Sequence, residues 1–178
     1  MKKKRRQPRQ GNGSENLKVK AALMTLGDAV VSSKAPVGYI DLRVFAHATE
    51  DPDKVLTAAR NVLPTEIVDN IFFEKAEVTG HHGNPIVLFE TRIKDKKLVQ
   101  SVFAKLCTSL SFMDKESLAD KITDHVEKGN LYFRLDKQSA YLNELRLGSI
   151  DPIHVRVHFK KHGIDEVVSV CREFGLLP

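Results

Sequence analysis

The sequence predicts an α+β fold: a two-layer sandwich with a mostly antiparallel or mixed sheet, helices on one face and the other face open. Three observations lead there. Several stretches alternate apolar and polar residues with a period of two, which gives a strand one buried and one wet side. Between them lie stretches with apolar residues at helical spacing behind good N-caps. The order of the two kinds is β-α-β-β-α-α-β-(α)-β-α, and a sheet with one wet face takes its helices on the other. The chain has 178 residues, 42% hydrophobic and 29% charged, which is ordinary for a globular protein. A domain of about 140 residues buries roughly two-thirds of its unfolded surface and needs no metal or disulfide staple.

Residues 1–16 are basic and polar with no apolar residue after Met1, too little to offset the entropy of ordering, so this stretch reads as a disordered tail. Residues 17–36 read as a linker or a short helix, lined by Leu17, Ala21, Ala22 and Leu26 and weakened by Gly27; Met24 offers a second start within it. The single folded domain is expected over 37–178. Its first strand is YIDLRVFAHAT, with Ile40, Leu42, Val44 and Ala46 inward. A helix follows behind Asp51 as N-cap, with Pro52 at its first position and Pro64 past its end. Two β-rich runs around GHHGNP predict a hairpin, with Pro85 at the start of its second strand.

Asp95 caps the next helix, whose stripe is Leu98, Val99, Val102, Phe103, Leu106 and Leu110. A second helix is expected behind Asp114, with Leu118, Ile122 and Val126 inward and Gly129 as terminator. LYFRLDK alternates as a strand, with Tyr132, Arg134 and Asp136 outward, and QSAYLNELRLG has room for one or two helical turns. IHVRVHF is the last strand, and a helix burying Val167, Val170, Cys171 and Phe174 ends at Gly175. Cys107 and Cys171 each fall on or beside an apolar stripe and read as buried thiols of a reducing compartment; their spacing supports no disulfide.

Charge is unevenly placed. The net charge is +5, but residues 1–20 hold Lys2, Lys3, Lys4, Arg5, Arg6, Arg9, Lys18 and Lys20 against one acid, Glu15. The remaining residues therefore sum to −2. A folded domain of that charge binds a polyanion only by segregating its charges, and the strands suggest how. The outward set is Arg43 and His47 on the first strand, Tyr132 and Arg134 on the fourth, and His154, Arg156, His158 and Lys160 on the last. Asp41 and Asp136 are the acids expected beside them, the others falling mainly on helices and loops. Same-face residues along a strand stand about 6.6 Å apart, on the scale of successive phosphates of one nucleic-acid strand. Guanidinium forks suit phosphate, and Tyr132 and the imidazoles can stack on a base or sugar. Lysines at two helix starts (Lys94, Lys96 and Lys97; Lys160 and Lys161) add anion-attracting spots, unless Asp95, Asp165 and Glu166 already satisfy those ends.

The stretches YIDLRVFAHATEDPDKVLTAARNVLP and FFEKAEVTGHHGNPIVLFETRI resemble a family of archaeal RNA-binding proteins described as exosome-subunit-like, whose fold is similar to that of the large-subunit ribosomal protein that contacts 5S RNA. The resemblance runs from about Val37 to the C-terminus. It implies an α+β sandwich in the cytoplasm of an archaeon, with structured, for instance ribosomal, RNA as partner. His81 and His82, at the tip of the hairpin that carries part of the resemblance, join the expected RNA contacts, as does the basic tail.

Other chemistry is weakly supported. Adjacent His81 and His82 do not face one ion, and His154 and His158 are about 13 Å apart on a strand, so no metal is expected. No cofactor-binding motif, nucleophile elbow or paired carboxylates appear, and no apolar run reaches the ~20 residues of a membrane span. The leading expectation is a non-enzymatic RNA-binding protein. A protein-interaction subunit of an RNA-processing, exosome-like complex and a weak His-dependent ribonuclease are the alternatives. Oligomeric state is not legible.

Overall fold

The computed structural model describes residues 36–80 and 83–178. The expected tail and linker, and with them Lys2, Lys3, Lys4, Arg5, Arg6 and Arg9, lie outside the described residues, as do His81 and His82. Six strands form one sheet: β1 (Val37–Ala46), β2 (Glu74–Thr79), β3 (Pro85–Ile93), β4 (Val126–Glu127), β5 (Asn130–Leu135) and β6 (Ile153–Phe159). Their order is β2-β3-β1-β6-β5-β4, and every pairing is antiparallel. Helices α1 (Pro52–Asn61), α2 (Lys96–Ser109), α3 (Phe112–Asp120), α4 (Ile122–His125), α5 (Lys137–Tyr141) and α6 (Ile164–Glu173) lie between and after them.

Period-two alternation decides which side of the sheet is core. Ile40, Leu42, Val44 and Ala46 of β1 and Ile153, Val155, Val157 and Phe159 of β6 are all buried. They join one cluster with Val55, Ala58 and Ala59 of α1, Val102, Phe103 and Leu106 of α2, and Val167 and Cys171 of α6. Phe103 of α2 meets Phe159 edge-on at 5.9 Å and Phe174 at 5.6 Å between ring centroids, so one aromatic ties α2, β6 and the end of α6 together. Cys107 and Cys171 are free and buried, and burial pushes each thiol up to about 12.

The caps read from sequence hold for α1 and α2: Asp51 accepts from the amide of Asp53, and Asp95 from those of Lys97 and Leu98. The segment after α2 departs from expectation. Ser111, not Asp114, is the N-cap of α3, with its hydroxyl accepting from the Asp114 amide. The helix stops at Asp120, and Val126, expected on a helical stripe, lies in β4 instead. Gly129 does not terminate a helix. Together with Lys128 it makes the turn from β4 to β5, both at positive φ, 77° and 49°. A Cβ at Gly129 would stand 2.4 Å from the Lys161 carbonyl, so only glycine fits this turn. Apolar spacing alone fits both readings of 118–126, and the turn chemistry of Lys128-Gly129 decides between them.

Candidate nucleic-acid interface

The register of the sheet writes out its open face row by row. Pairing of β3, β1, β6 and β5 sets Arg92, Asp41, Arg156 and Tyr132 side by side. The neighbouring row runs Glu74, Glu90, Arg43, His154 and Arg134, from β2 to β5. Beyond Asp41 lies a third row, Tyr39, His158 and Asn130. Arg43, Tyr132, Arg134, His154, Arg156 and His158 are therefore brought together on one face, as the alternation required.

Two expectations about that face need correction. His47 follows the end of β1 and is not part of the rows; its Nε2 stands 3.2 Å from Asp151 and its amide donates to Glu50 at 2.9 Å. Asp136 does not oppose the basic residues but caps α5, accepting from the Ser139 amide. The opposing acids besides Asp41 are Glu90 and Glu74, which the antiparallel pairing of the hairpin with β1 delivers to the same side. Lys160 is exposed just past β6, and Lys161 is paired with Glu166 at 3.0 Å. Glu166 also reaches the Gly163 amide, so the start of α6 is already satisfied, as Asp95 satisfies the start of α2.

The arginines are held by these acids. Asp41 receives Arg92 through two hydrogen bonds, at 2.8 and 3.1 Å, and Arg156 at 2.6 Å. Arg43 donates to Glu90 at 3.1 Å. Tyr39 sits between guanidiniums, with Arg92 4.9 Å and Arg156 5.2 Å from its ring centroid, and stacks on His158 at 4.4 Å. Arg156 also donates to the Tyr39 hydroxyl at 3.2 Å, which leaves its Nε as a buried donor without a partner. The Arg134 guanidinium has no ion-pair or hydrogen-bond partner among the described residues. Burial, then the charges of Arg134 and Arg43, pushes the His154 imidazole below its ordinary range. Burial, His162 and Arg156 do the same to His158, against an opposing pull from Asp41. Both effects favour the uncharged ring, so the row carries less positive charge than its composition suggests.

Over this face opens a cleft of about 1640 Å³. Segment 70–74 lines it beside β2, and α3 with α4 lines it beside β5. Its charged lining comprises six Lys or Arg and five Asp or Glu, so the face is nearly balanced rather than basic. Sequence reasoning missed Arg92 and Lys121 as cations of the cleft and Phe72 as an aromatic of its wall, while Lys94, singled out at a helix start, does line it. For Arg92 a partial signal was present: PIVLFETRI begins as a continuous apolar run, but its end, FETRI, alternates and places Glu90 and Arg92 on the wet side. Lys121 and Phe72 had no such signal, because their place depends on how segments outside the strands fold back.

Lys137 was also missed. It is buried, and its ammonium bonds Glu50 at 2.9 and 3.0 Å, Asp151 at 2.5 Å and the Phe45 carbonyl at 2.7 Å. His47, Glu50 and Asp151 bring one nitrogen and two carboxylates within 4.8 Å of one another, a donor set with the spacing of a metal site. The lysine ammonium already sits against both carboxylates, so their charge is met from within the chain.

The fold is thus an antiparallel α+β sandwich whose open sheet face floors a broad cleft lined by charged groups of both signs. Residues 39–159 match the protein family described as RNA binding, and the chain belongs to that family. It is 36% identical to the RNA-binding protein PAB1135 of Pyrococcus abyssi, over 81% of this chain and 97% of that protein. Among solved structures it is similar to protein AF2318 from Archaeoglobus fulgidus, with a TM-score of 0.67 at 25% identity, covering 78% of this chain and 99% of that one. It is also similar to Mth689, a DUF54 protein from Methanothermobacter thermautotrophicus, with a TM-score of 0.65 at 25% identity over 78% and 98% of the two chains. Among the described residues no helix is long and apolar enough to cross a membrane.

Proposed function

We propose that this chain is a non-enzymatic RNA-binding protein of the cytoplasm that holds structured RNA, ribosomal RNA included, through its open sheet face, its β2–β3 hairpin tip and its basic N-terminal segment. The family match carries the reading. It spans residues 39–159, from the third residue of β1 to the last of β6, and so takes in all six strands. The name of the Pyrococcus relative, an RNA-binding protein, supports the same ligand. Arg43 and Arg134 project from that sheet with exposed or unpaired guanidinium groups, and arginine meets phosphate oxygens in a bidentate fork.

A second reading has a specific observation behind it. The near balance of acids and cations in the cleft suits a protein partner of an RNA-processing complex as well as it suits a nucleic acid. Filter binding of total RNA at two salt concentrations separates the two. The RNA reading expects the double variant Arg43→Ala/Arg134→Ala to flatten the log–log salt slope by about 2 units, since each phosphate neutralised contributes about 0.9. RNA retention by that variant with the slope of the unaltered chain would remove the sheet face from the reading.

A further inference from the structure

The near balance of charge and the aromatic wall of the cleft point to a narrower ligand, on the premise that the RNA reading above holds. We infer that the cleft takes an unpaired, single-stranded stretch of RNA, with Phe72 and Tyr132 as stacking platforms at its two sides.

Nine large apolar or aromatic side chains are exposed among the described residues, and only Phe72 and Tyr132 of these line the cleft. Phe72 is 80% exposed although both of its neighbours, Ile71 and Phe73, are buried in the core. The backbone at Phe72 is thus anchored on either side while its ring stands in solvent, so only the rotamers of that one side chain remain to be ordered on binding. Tyr132 is 40% exposed on β5, at the other side of the sheet. Four strand spacings separate β2 from β5, roughly 19 Å. One base does not bridge that span, whereas a strand of several nucleotides lies across it.

The charges in between fit bases better than a rail of phosphates. A duplex presents mainly phosphate and ribose, and a lining with almost as many acids as cations gains little from it. Unpaired bases expose amino groups that carboxylates accept. Glu74 has no partner among the described residues, and Glu90 uses only one oxygen, toward Arg43, so both keep acceptors free toward the cleft. Arg134, unpaired, is left for a phosphate. The aromatic rings also have nothing to stack on in a duplex, whose bases are already stacked on each other.

The test uses the full chain, at salt high enough to suppress contacts that depend on charge alone, with a short unstructured RNA and a blunt duplex of equal length as fluorescence-anisotropy probes. The single strand is expected to bind more tightly than the duplex. Phe72→Ala is expected to weaken single-strand binding roughly 5- to 100-fold, the loss typical of one stacked base, and to leave duplex binding unchanged. Phe72→Tyr, which keeps the ring, is expected to bind as the unaltered chain does. Duplex preference in the unaltered chain, or single-strand affinity unmoved by both Phe72→Ala and Tyr132→Ala, overturns the inference and leaves RNA binding standing. Failure to bind either probe at any salt overturns the RNA reading and this inference with it.

Discussion

Two clusters of ions in this molecule use the same chemistry for opposite ends. Around Lys137 one ammonium joins two carboxylates and a backbone carbonyl, with the lysine side chain only 8% exposed. Around Asp41 one carboxylate joins two guanidiniums on the open sheet face, where the Arg92 side chain is 49% exposed. The first links segments far apart in sequence: the end of β1 at Phe45, the loop at Glu50, α5 and the loop at Asp151. Glu50 and Asp151 keep some contact with solvent but the ammonium does not, so removing it leaves two neighbouring carboxylates without their counter-charge. The second meets solvent mainly through Arg92, with Asp41 and Arg156 partly covered, so the Coulomb gain is screened there and Arg92 is the readier of the two arginines to exchange partners. A buried cluster fixes the chain's course, while a wet one keeps arginines oriented yet able to turn to another anion.

The sharpest way to break this comparison is at Lys137. Replacing it by Met removes the ammonium and leaves Glu50 and Asp151 facing each other. Breaking a buried pair costs about 3–5 kcal/mol, and the part-exposed carboxylates place this site near the low end, about 3 kcal/mol. That lowers Tm by roughly 6–12 °C for a chain of this size. Urea unfolding checks the stability, and RNA affinity of the folded variant should be unchanged. A loss below 1 kcal/mol would mean that the buried cluster is energetically no different from the wet one.

Asp41→Asn sharpens the comparison from the other side. The amide keeps the shape but removes the charge that holds Arg92 and Arg156. The expected stability loss is about 1 kcal/mol, because the pairs are partly solvated. RNA affinity should rise, and the salt slope should steepen by about 1–2 units as the two guanidiniums turn to phosphates. Weaker RNA binding at unchanged slope would show that Asp41 holds the arginines in their working position rather than in reserve. A smaller effect is expected at Arg134, which has no partner to lose. Arg134→Ala should leave stability within about 0.5 kcal/mol and flatten the salt slope by about 1 unit.

The two clusters also differ in how far the sequence shows them. The wet face follows from a local rule: in a strand, residues two apart share a side, so Arg43, Arg134, His154, Arg156 and His158 can be grouped by counting. The same rule applied to the end of the second hairpin strand finds Glu90 and Arg92, so part of the acid content of the face was legible too. What counting does not give is the order β2-β3-β1-β6-β5, which sets Glu90 opposite Arg43 and makes them partners. The Lys137 cluster has no local signature. Its members lie 87 and 14 residues from the lysine along the chain, and each is an ordinary loop or helix residue in its own neighbourhood. Phe72 resembles Phe73 in sequence, and only the packing of Ile71 and Phe73 into the core decides which ring is left outside.

The smallest effect is a dependence on pH, and here the two properties of the face should move in opposite directions. Burial and nearby arginines hold His154 and His158 below the ordinary imidazole value of 6.5. In the unfolded chain these rings take up protons as pH falls through about 6.5, while in the fold they stay neutral longer. Unfolding therefore binds protons in that window. The stability these groups contribute is fully present above about 6.5 and is lost as pH falls toward their lowered folded values. RNA over the face acts the other way. A polyanion favours the imidazolium, so binding takes up protons and affinity should rise over the same window. Urea midpoints and RNA affinity measured between neutral pH and pH 5 check both signs, with His154→Gln/His158→Gln expected to flatten each curve. An affinity that falls with pH alongside stability would place the phosphates away from β6.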